Sequence, residues 1–210
     1  MKKYSVIILF FLLFSAYAQD TLRVTANGYD LRDIYLSLDV EHLWQAGYHV
    51  DWKTGESDEP WAKSGNKTHC SAFVAAACSH LNMYVLRPPE HKQELLANSQ
   101  FEWLASDAGK KAGWVQIADE NILDIWIAAQ EKANDGYAVI ASCANEDPRS
   151  PGHIALVMPS EVITDSVKAS GPKVIQAGAI NRNEVSLRKG FGKHISEWPE
   201  KTILFYYHEK

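Results

Sequence analysis

The sequence of 210 residues has little cysteine, no cluster of basic residues and no long apolar run after its first residues. Its three cysteines are too few for the disulfide framework that stabilises many small secreted domains. The 21 lysines and arginines are outnumbered by 26 acidic residues, and no basic stripe could follow a phosphate backbone. We therefore expect no nucleic-acid partner. Repeats, sustained heptads and low-complexity tracts are also missing, which argues against solenoid, coiled-coil and disordered proteins.

The first residues have the pattern of a secretory signal peptide. A positively charged start precedes an apolar run over residues 6–14, and Ala16 and Ala18 then form a small-x-small cleavage pattern. The apolar run is shorter than the roughly 20 residues that a membrane-spanning helix needs. The sequence thus predicts a signal peptide over residues 1–18 and a single domain over residues 19–210. We expect this domain to be periplasmic or secreted, monomeric, and without an integral membrane segment after cleavage.

The order of helical and strand patterns predicts an α+β fold. Apolar residues first recur at helical spacing, and short apolar runs separated by Pro, Gly, Asn and Asp follow in the second half. The predicted helices cover residues 30–45, 70–81 and 121–133, and a further helix is predicted after Pro88 and Pro89, because proline suits a first helical turn and apolar residues recur with a helical period over residues 95–104. The predicted strands cover residues 137–142, 153–158, 173–177, 184–188 and 202–207. This order favours helices packed on an antiparallel sheet. We expect Trp44, Trp52 and Trp61 to pack the irregular loop before the second helix.

Cys70 is the residue with the clearest chemical potential. It begins the strongest helix pattern, where unpaired backbone N–H groups and the helix dipole favour a thiolate and a lowered thiol pKa. Cys78 lies two turns further along the same apolar stripe, so we interpret it as a core residue. Cys143 ends a predicted strand. A disulfide between Cys78 and Cys143 would leave Cys70 free, but the sequence alone does not establish that geometry.

A thiolate nucleophile needs an imidazole, and that imidazole needs a polar partner to orient it. Among the eight histidines, His153 is the best candidate because it follows Pro151 and Gly152 and begins a predicted strand. An imidazole at the start of a strand can project from the sheet rim. We interpret His69 as a residue that shapes the loop before Cys70. The remaining histidines have solvated or capping contexts, namely His42, His49, His80, His91, His194 and His208.

Two motifs resemble those of a known superfamily. The string Cys70-Ser71-Ala72-Phe73-Val74 resembles the Cys-Ser-Gly-Phe-Val signature of NlpC-type cell-wall peptidases and also fits the related CHAP amidases, both papain-like. Residues 152–157, Gly-His-Ile-Ala-Leu-Val, resemble the Gly-His-Val-Ala-Ile-Val strand that carries the base in those families. In them a third polar residue lies on the next strand, where this chain has Gln176; Asn181 is the alternative.

The resemblance covers about residues 65–180, with departures from the family pattern. Ala72 replaces the usual glycine, and His69 rather than aspartate precedes the cysteine. The segment between the cysteine and the histidine is also longer than in compact family members. These differences leave the subfamily open.

The resemblance implies a papain-like fold and amide hydrolysis through a thioester. Cys70 would attack the carbonyl carbon, His153 would shuttle the proton, and Gln176 would orient His153. The backbone N–H of Cys70 would contribute to the oxyanion hole. Further substrate or oxyanion contacts would come from Tyr48, Ser71 and Asn181. For an exported enzyme of this kind the implied substrate is a peptidoglycan peptide, with no cofactor and no metal.

Three other hypotheses remain. A papain-like protein could be a protease or a toxin that acts on another amide. A non-catalytic cell-wall-binding protein would keep the fold and tolerate the loss of Cys70. A metal site on Cys70, His69 and His153 is the third, although no Cys-x-x-Cys or His-x-x-x-His pair supports zinc.

Overall fold

The computed structural model describes residues 20–65, 68–145, 147, 149–192 and 203–209. The predicted signal peptide, residues 1–18, lies outside the described residues, as does His194. The helices are α1 (Ala26–Ser37), α2 (Cys70–His80), α3 (Leu96–Ala105), α4 (Asp107–Lys111), α5 (Ile122–Asn134), α6 (Thr164–Ser170) and α7 (Leu187–Phe191). The strands are β1 (Thr21–Leu22), β2 (Trp114–Ile117), β3 (Val139–Cys143), β4 (His153–Val157), β5 (Val162–Ile163), β6 (Lys173–Gln176), β7 (Arg182–Ser186) and β8 (Leu204–His208).

The strands form an antiparallel sheet of six strands in the order β2-β8-β3-β4-β6-β7, while β1 and β5 pair separately. The predicted α+β class, with helices and an antiparallel sheet, is confirmed. β4 lies inside the sheet and is buried along its whole length. None of the helices within the described ranges is long and apolar enough to cross a membrane.

Alternation along the central strands separates two apolar clusters. Ile154 and Leu156 of β4 pack in the cluster that contains α1, α2 and α3, whereas Ala155 and Val157 pack in the cluster that contains α5, α6 and α7. The two clusters therefore lie on opposite faces of the sheet. Cys78 belongs to the first cluster and Cys143 to the second. For this reason a Cys78–Cys143 disulfide does not form, and all three cysteines are free.

The helices predicted from strong patterns lie close to their predicted places. The helix predicted over residues 70–81 is α2, and the one predicted over 121–133 is α5. The helix predicted after Pro88 and Pro89 is α3, but it begins only at Leu96, so its predicted start was wrong. Asn121 caps α5, since its side chain accepts a hydrogen bond from the backbone N–H of Leu123 at 3.1 Å. Gly136, with φ +86°, ends this helix in the left-handed region that favours glycine.

The first helix shares residues 30–37 with its predicted range but begins and ends earlier than predicted. It begins after Thr25, whose side chain accepts a hydrogen bond from the backbone N–H of Gly28 at 3.2 Å, and it ends at Ser37. Asp39 and Trp44 have positive φ angles of 52° and 51°, which no α-helix can contain. The residues predicted to continue the helix to residue 45 therefore form turns.

Several short elements were not predicted. They are β1, β2, β5, α4, α6 and α7. The strand predicted over 184–188 is β7, which ends at Ser186 because α7 begins at Leu187. The last predicted strand, 202–207, corresponds to β8, and its first predicted residue lies outside the described part of the chain. The other predicted strands differ from β3, β4 and β6 by two residues or fewer at each end.

The tryptophans of the loop behave differently from one another. Trp44 is 1% exposed, and its indole N–H donates to the carbonyl of Trp52 at 3.1 Å. Trp52 is partly buried against the same core. Trp61 is 81% exposed, so the prediction that it packs the loop is wrong.

Candidate active site

Cys70 occupies the first position of α2, on a helix that is buried from Cys70 to Cys78. The small and apolar residues of this segment let the helix pack closely against β4. His69, at the N-cap position, makes no side-chain cap hydrogen bond. The backbone N–H groups of Cys70 and Ser71 at this helix end interact with the Cys70 thiol instead.

The thiol of Cys70 is buried and surrounded by hydrogen-bond donors. Burial raises its pKa above the ordinary value, while the backbone of Ile154, Ser71 and Cys70 itself and the Thr68 hydroxyl lower it. The lowered thiol pKa expected from the helix start is therefore corrected by the structure. The expected donors are present, but the loss of solvation at a residue that is 4% exposed has the larger effect. Burial thus favours the protonated thiol over the thiolate.

His153 and Gln176 form a buried pair on adjacent strands. His153 Nε2 lies 2.9 Å from Gln176 Oε1, and the Gln176 amide nitrogen donates to the carbonyl of Ile180 at 3.4 Å. Because the Ile180 carbonyl fixes the orientation of the amide, Oε1 faces the imidazole and accepts from it. Nε2 then carries the hydrogen of the neutral ring, and Nδ1 carries the lone pair. A ring in this tautomer can accept a proton at Nδ1.

The thiol and the imidazole lie at the same end of β4. The Cys70 thiol is hydrogen-bonded by the backbone of Ile154, the residue after His153, and approaches from the side of α2. The imidazole packs edge-on against Phe191 of α7, with ring centroids 4.6 Å apart. The structure thus pairs His153 with Gln176 and places the Cys70 thiol at the backbone of the residue that follows His153.

The backbone of two glycines lies close to the Gln176 amide that binds His153. A Cβ atom at Gly190 would lie 2.6 Å from Gln176 Oε1, and one at Gly178 would lie 3.3 Å from Gln176 Nε2. Gly190 therefore provides the space for the amide that orients His153. Sequence reasoning missed Gly190, because no local pattern relates α7 to β6.

The Asn181 side chain binds backbone groups and not His153. Its amide nitrogen donates to the carbonyls of Val40, Leu43 and Trp44, with the shortest distance 2.7 Å, and its oxygen accepts from the backbone N–H of Gly178 at 3.0 Å. These bonds tie the loop after β6 to the turns after α1. Asn181 is consequently not placed to orient His153 or to bind an oxyanion.

Tyr48 and Ser71 have different relations to the thiol. Ser71 lines the cleft at Cys70, whereas Tyr48 lines two neighbouring cavities and not that cleft. The Tyr48 carbonyl lies 2.9 Å from His69 Nε2. His69 thus links the loop at residue 48 to the start of α2.

A cleft of about 350 Å³ opens beside the thiol. Cys70 and Ser71 lie in this cleft together with Thr68, Pro151 and residues 93–97, the segment that leads into α3. Its volume is sufficient for a peptide side chain and the adjoining amide, at the lower end of the range for ligand sites.

Two polar residues of α3 were missed by sequence reasoning. Asn98 binds the chain before His153, through Ser150, Gly152 and Asn145. Gln100 is fully buried, and its amide nitrogen donates to the carbonyls of Ser71 and Leu86 at 3.1 and 2.9 Å. The sequence signal for these contacts was weak, because α3 also contains the polar residues Ser99 and Glu102.

No group of three or more His, Cys, Asp and Glu side chains within the described ranges could hold a metal ion. A scan against protein-family models, a search of curated proteins and a search of solved structures each returned no match.

Proposed function

We propose that this protein is an exported cysteine hydrolase that cleaves amide bonds of peptidoglycan peptides, with a papain-like arrangement of nucleophile helix and sheet. The observation that carries the proposal is the His153–Gln176 pair, 2.9 Å between Nε2 and Oε1, at the end of β4 where the Cys70 thiol is bound. A buried thiol, a buried imidazole in a fixed tautomer and an open cleft are the parts that thioester chemistry requires.

The proposed reaction begins from the neutral thiol. His153 Nδ1 accepts the thiol proton as the sulfur attacks the carbonyl carbon, and the imidazolium then protonates the leaving amine as the C–N bond breaks. Water next attacks the thioester, with His153 as the base. The C–S bond breaks, the carboxylic acid leaves, and the thiol regains its proton. Gln176 keeps the ring in the tautomer that can accept the proton at Nδ1.

Donors at the start of α2 support stabilisation of the oxyanion. The backbone N–H of Cys70 has no side-chain cap as competitor, and the helix dipole adds partial positive charge. The Thr68 hydroxyl, which is bonded to the thiol in the resting site, is a second donor beside the attacked carbon. Neither Tyr48 nor Asn181 is needed for this role.

The choice of peptidoglycan is supported by two features of the sequence. The N-terminal residues have the pattern of a signal peptide, and residues 70–74 and 152–157 resemble the two motifs of the NlpC and CHAP families. An exported monomer acting on wall peptides is consistent with both.

The experiment uses the chain from residue 19, incubated with purified peptidoglycan under reducing conditions, with mass spectrometry of the soluble fragments. We expect fragments from the wild type and none from Cys70→Ala. Cys78→Ala is the matched control, because it removes a thiol from the same helix without touching the cleft. Equal release by wild type and Cys70→Ala would overturn the proposal.

A second function, non-catalytic wall binding, is favoured by one observation. Burial raises the pKa of Cys70, which reduces the thiolate available at neutral pH. A sedimentation assay with insoluble peptidoglycan distinguishes the two functions. Binding by the wild type and Cys70→Ala alike, with no fragments from either, would favour this alternative.

A further inference from the structure

Asn98 connects α3 to the segment that delivers His153 to the sheet. Its amide nitrogen donates to the carbonyl of Ser150 at 3.0 Å, and its oxygen accepts from the backbone N–H of Gly152 at 2.7 Å and of Asn145 at 3.4 Å. The residue thus binds both ends of the connection between β3 and β4. Gly152 immediately precedes the imidazole.

The connection has little room to move while these bonds are present. A Cβ atom at Gly152 would lie 2.2 Å from the carbonyl oxygen of Cys143 and 2.7 Å from Asn98 Oδ1. The backbone before His153 is thus enclosed between the end of β3 and the Asn98 side chain. Pro151, in the same connection, lines the cleft at the thiol.

The same helix also binds the start of α2. Two residues after Asn98, Gln100 donates to the carbonyl of Ser71, the residue after the nucleophile, and to that of Leu86. α3 consequently contacts the histidine side of the site through one amide and the cysteine side through another. Neither amide reaches the reacting atoms.

We propose that Asn98 is a positioning residue, which sets the place of His153 relative to the Cys70 thiol by fixing the β3–β4 connection from α3. This inference rests on the proposed cysteine-hydrolase function, but its test does not need the natural substrate. A shift of about 1 Å in a reacting group can cost roughly 100-fold in rate. Through this connection the Asn98 side chain therefore controls the position of His153.

The test measures alkylation of Cys70 by iodoacetamide as a function of pH, with the modified residue identified by peptide mass spectrometry. His153→Ala defines the loss of imidazole assistance at neutral pH. We expect Asn98→Ala to lower the neutral-pH rate in the same direction, by about tenfold, and to change the shape of the pH profile. At alkaline pH, where the thiol ionises without help, the variants should react at similar rates.

A double-mutant cycle separates positioning from general loosening. If Asn98 acts through His153, Asn98→Ala should have no further effect in the His153→Ala protein. Equal fold-changes in both backgrounds would overturn the inference, as would an Asn98→Ala profile that matches the wild type. Asn121→Ala is the control. It removes the cap of α5, a helix that packs on the face of the sheet opposite to α3. We expect it to lower thermal stability and to leave the profile unchanged.

A second variant keeps the test decisive if Asn98→Ala fails to fold. Asn98→Asp retains an acceptor for Gly152 and Asn145 and loses the donor to Ser150. We expect an alkylation profile between those of the wild type and His153→Ala, and a wild-type profile would contradict the inference. The outcome is independent of the hydrolysis assay. Failure to release wall fragments would overturn the proposed function, whereas a wild-type profile in both Asn98 variants would overturn only the positioning role.

Discussion

The side-chain oxygen of Gln176 lies 2.9 Å from Nε2 of His153, on the strand next to it in the sheet. The carbonyl of Ile180 binds the other end of the same amide and thereby decides which atom faces the ring. Gln176 is 7% exposed and His153 is 3% exposed, so water does not compete for this bond. The tautomer of the imidazole is thus a consequence of packing around one amide.

Replacement of Gln176 tests this relationship. We expect Gln176→Ala to lower kcat of fragment release by about 10- to 100-fold with a small effect on KM, because orientation of the base is lost while the cleft is retained. Asn181→Ala is the comparison. It should lower stability through the loss of three carbonyl contacts and should leave kcat near that of the wild type. A larger loss of kcat in Asn181→Ala than in Gln176→Ala would contradict the assignment.

Replacement of Gly190 perturbs the Gln176 amide without changing Gln176 itself. In Gly190→Ala the new Cβ would lie 2.6 Å from Gln176 Oε1, so the amide or the α7 backbone must shift, and either shift disturbs the contact between Gln176 and His153. We expect a loss of kcat of similar size to that of Gln176→Ala. Lys189→Ala, at the exposed neighbouring position of α7, should retain activity. Full activity in Gly190→Ala would show that the amide does not need its present position.

The sequence predicted the parts of this site whose signals are local. The apolar stripe from residue 70 placed Cys70 at the start of α2, and the apolar run from residue 153 placed His153 at the start of β4. It also favoured Gln176 as the partner of His153. The prediction of a lowered pKa for the Cys70 thiol was wrong. A helix start indicates the hydrogen-bond donors and the dipole near the thiol, whereas its burial depends on which residues pack over it.

Contacts between distant segments could not be predicted. Asn98 meets Gly152 across 54 residues, and Gly190 meets Gln176 through the packing of a five-residue helix. Short elements such as β2, with four residues, carry too few positions for a periodic pattern. Their place is decided by tertiary pairing, here with β8.

Alkaline pH should destabilise the protein through its buried thiols. Burial raises the pKa of Cys78 to about 12, while an unfolded cysteine ionises near 8.5. Below about pH 8.5 the thiol is protonated in both states, and between the two values only the unfolded state loses the proton. The free energy of unfolding should therefore fall as pH rises above about 8.5, by up to about 1.4 kcal/mol per unit.

Urea unfolding between pH 7 and 10 measures this dependence. Cys78→Ala should flatten the alkaline slope, and part of the slope should remain because burial also raises the pKa of Cys70. An unchanged slope in Cys78→Ala would show that its thiol has no role in the pH dependence.

Trp44, which is buried, and Trp61, which is exposed, should contribute differently to stability. Trp44→Ala removes a side chain buried against Phe73, with ring centroids 5.3 Å apart, and should lower the free energy of unfolding by about 3–5 kcal/mol. Trp61→Ala should change it by less than about 0.5 kcal/mol, because the side chain is 81% exposed. Chemical denaturation of both variants gives the comparison. Similar losses would contradict the structure of this loop.

Detection of an acyl group on Cys70 during turnover is the most direct test of amide hydrolysis through a thioester. A reaction with soluble peptidoglycan peptides is quenched in acid, and the chain is digested and mapped by mass spectrometry. We expect a peptide acyl group attached as a thioester to Cys70 in the wild type, with neither adduct nor product in Cys70→Ala. Product formation by Cys70→Ala at the wild-type rate would contradict it.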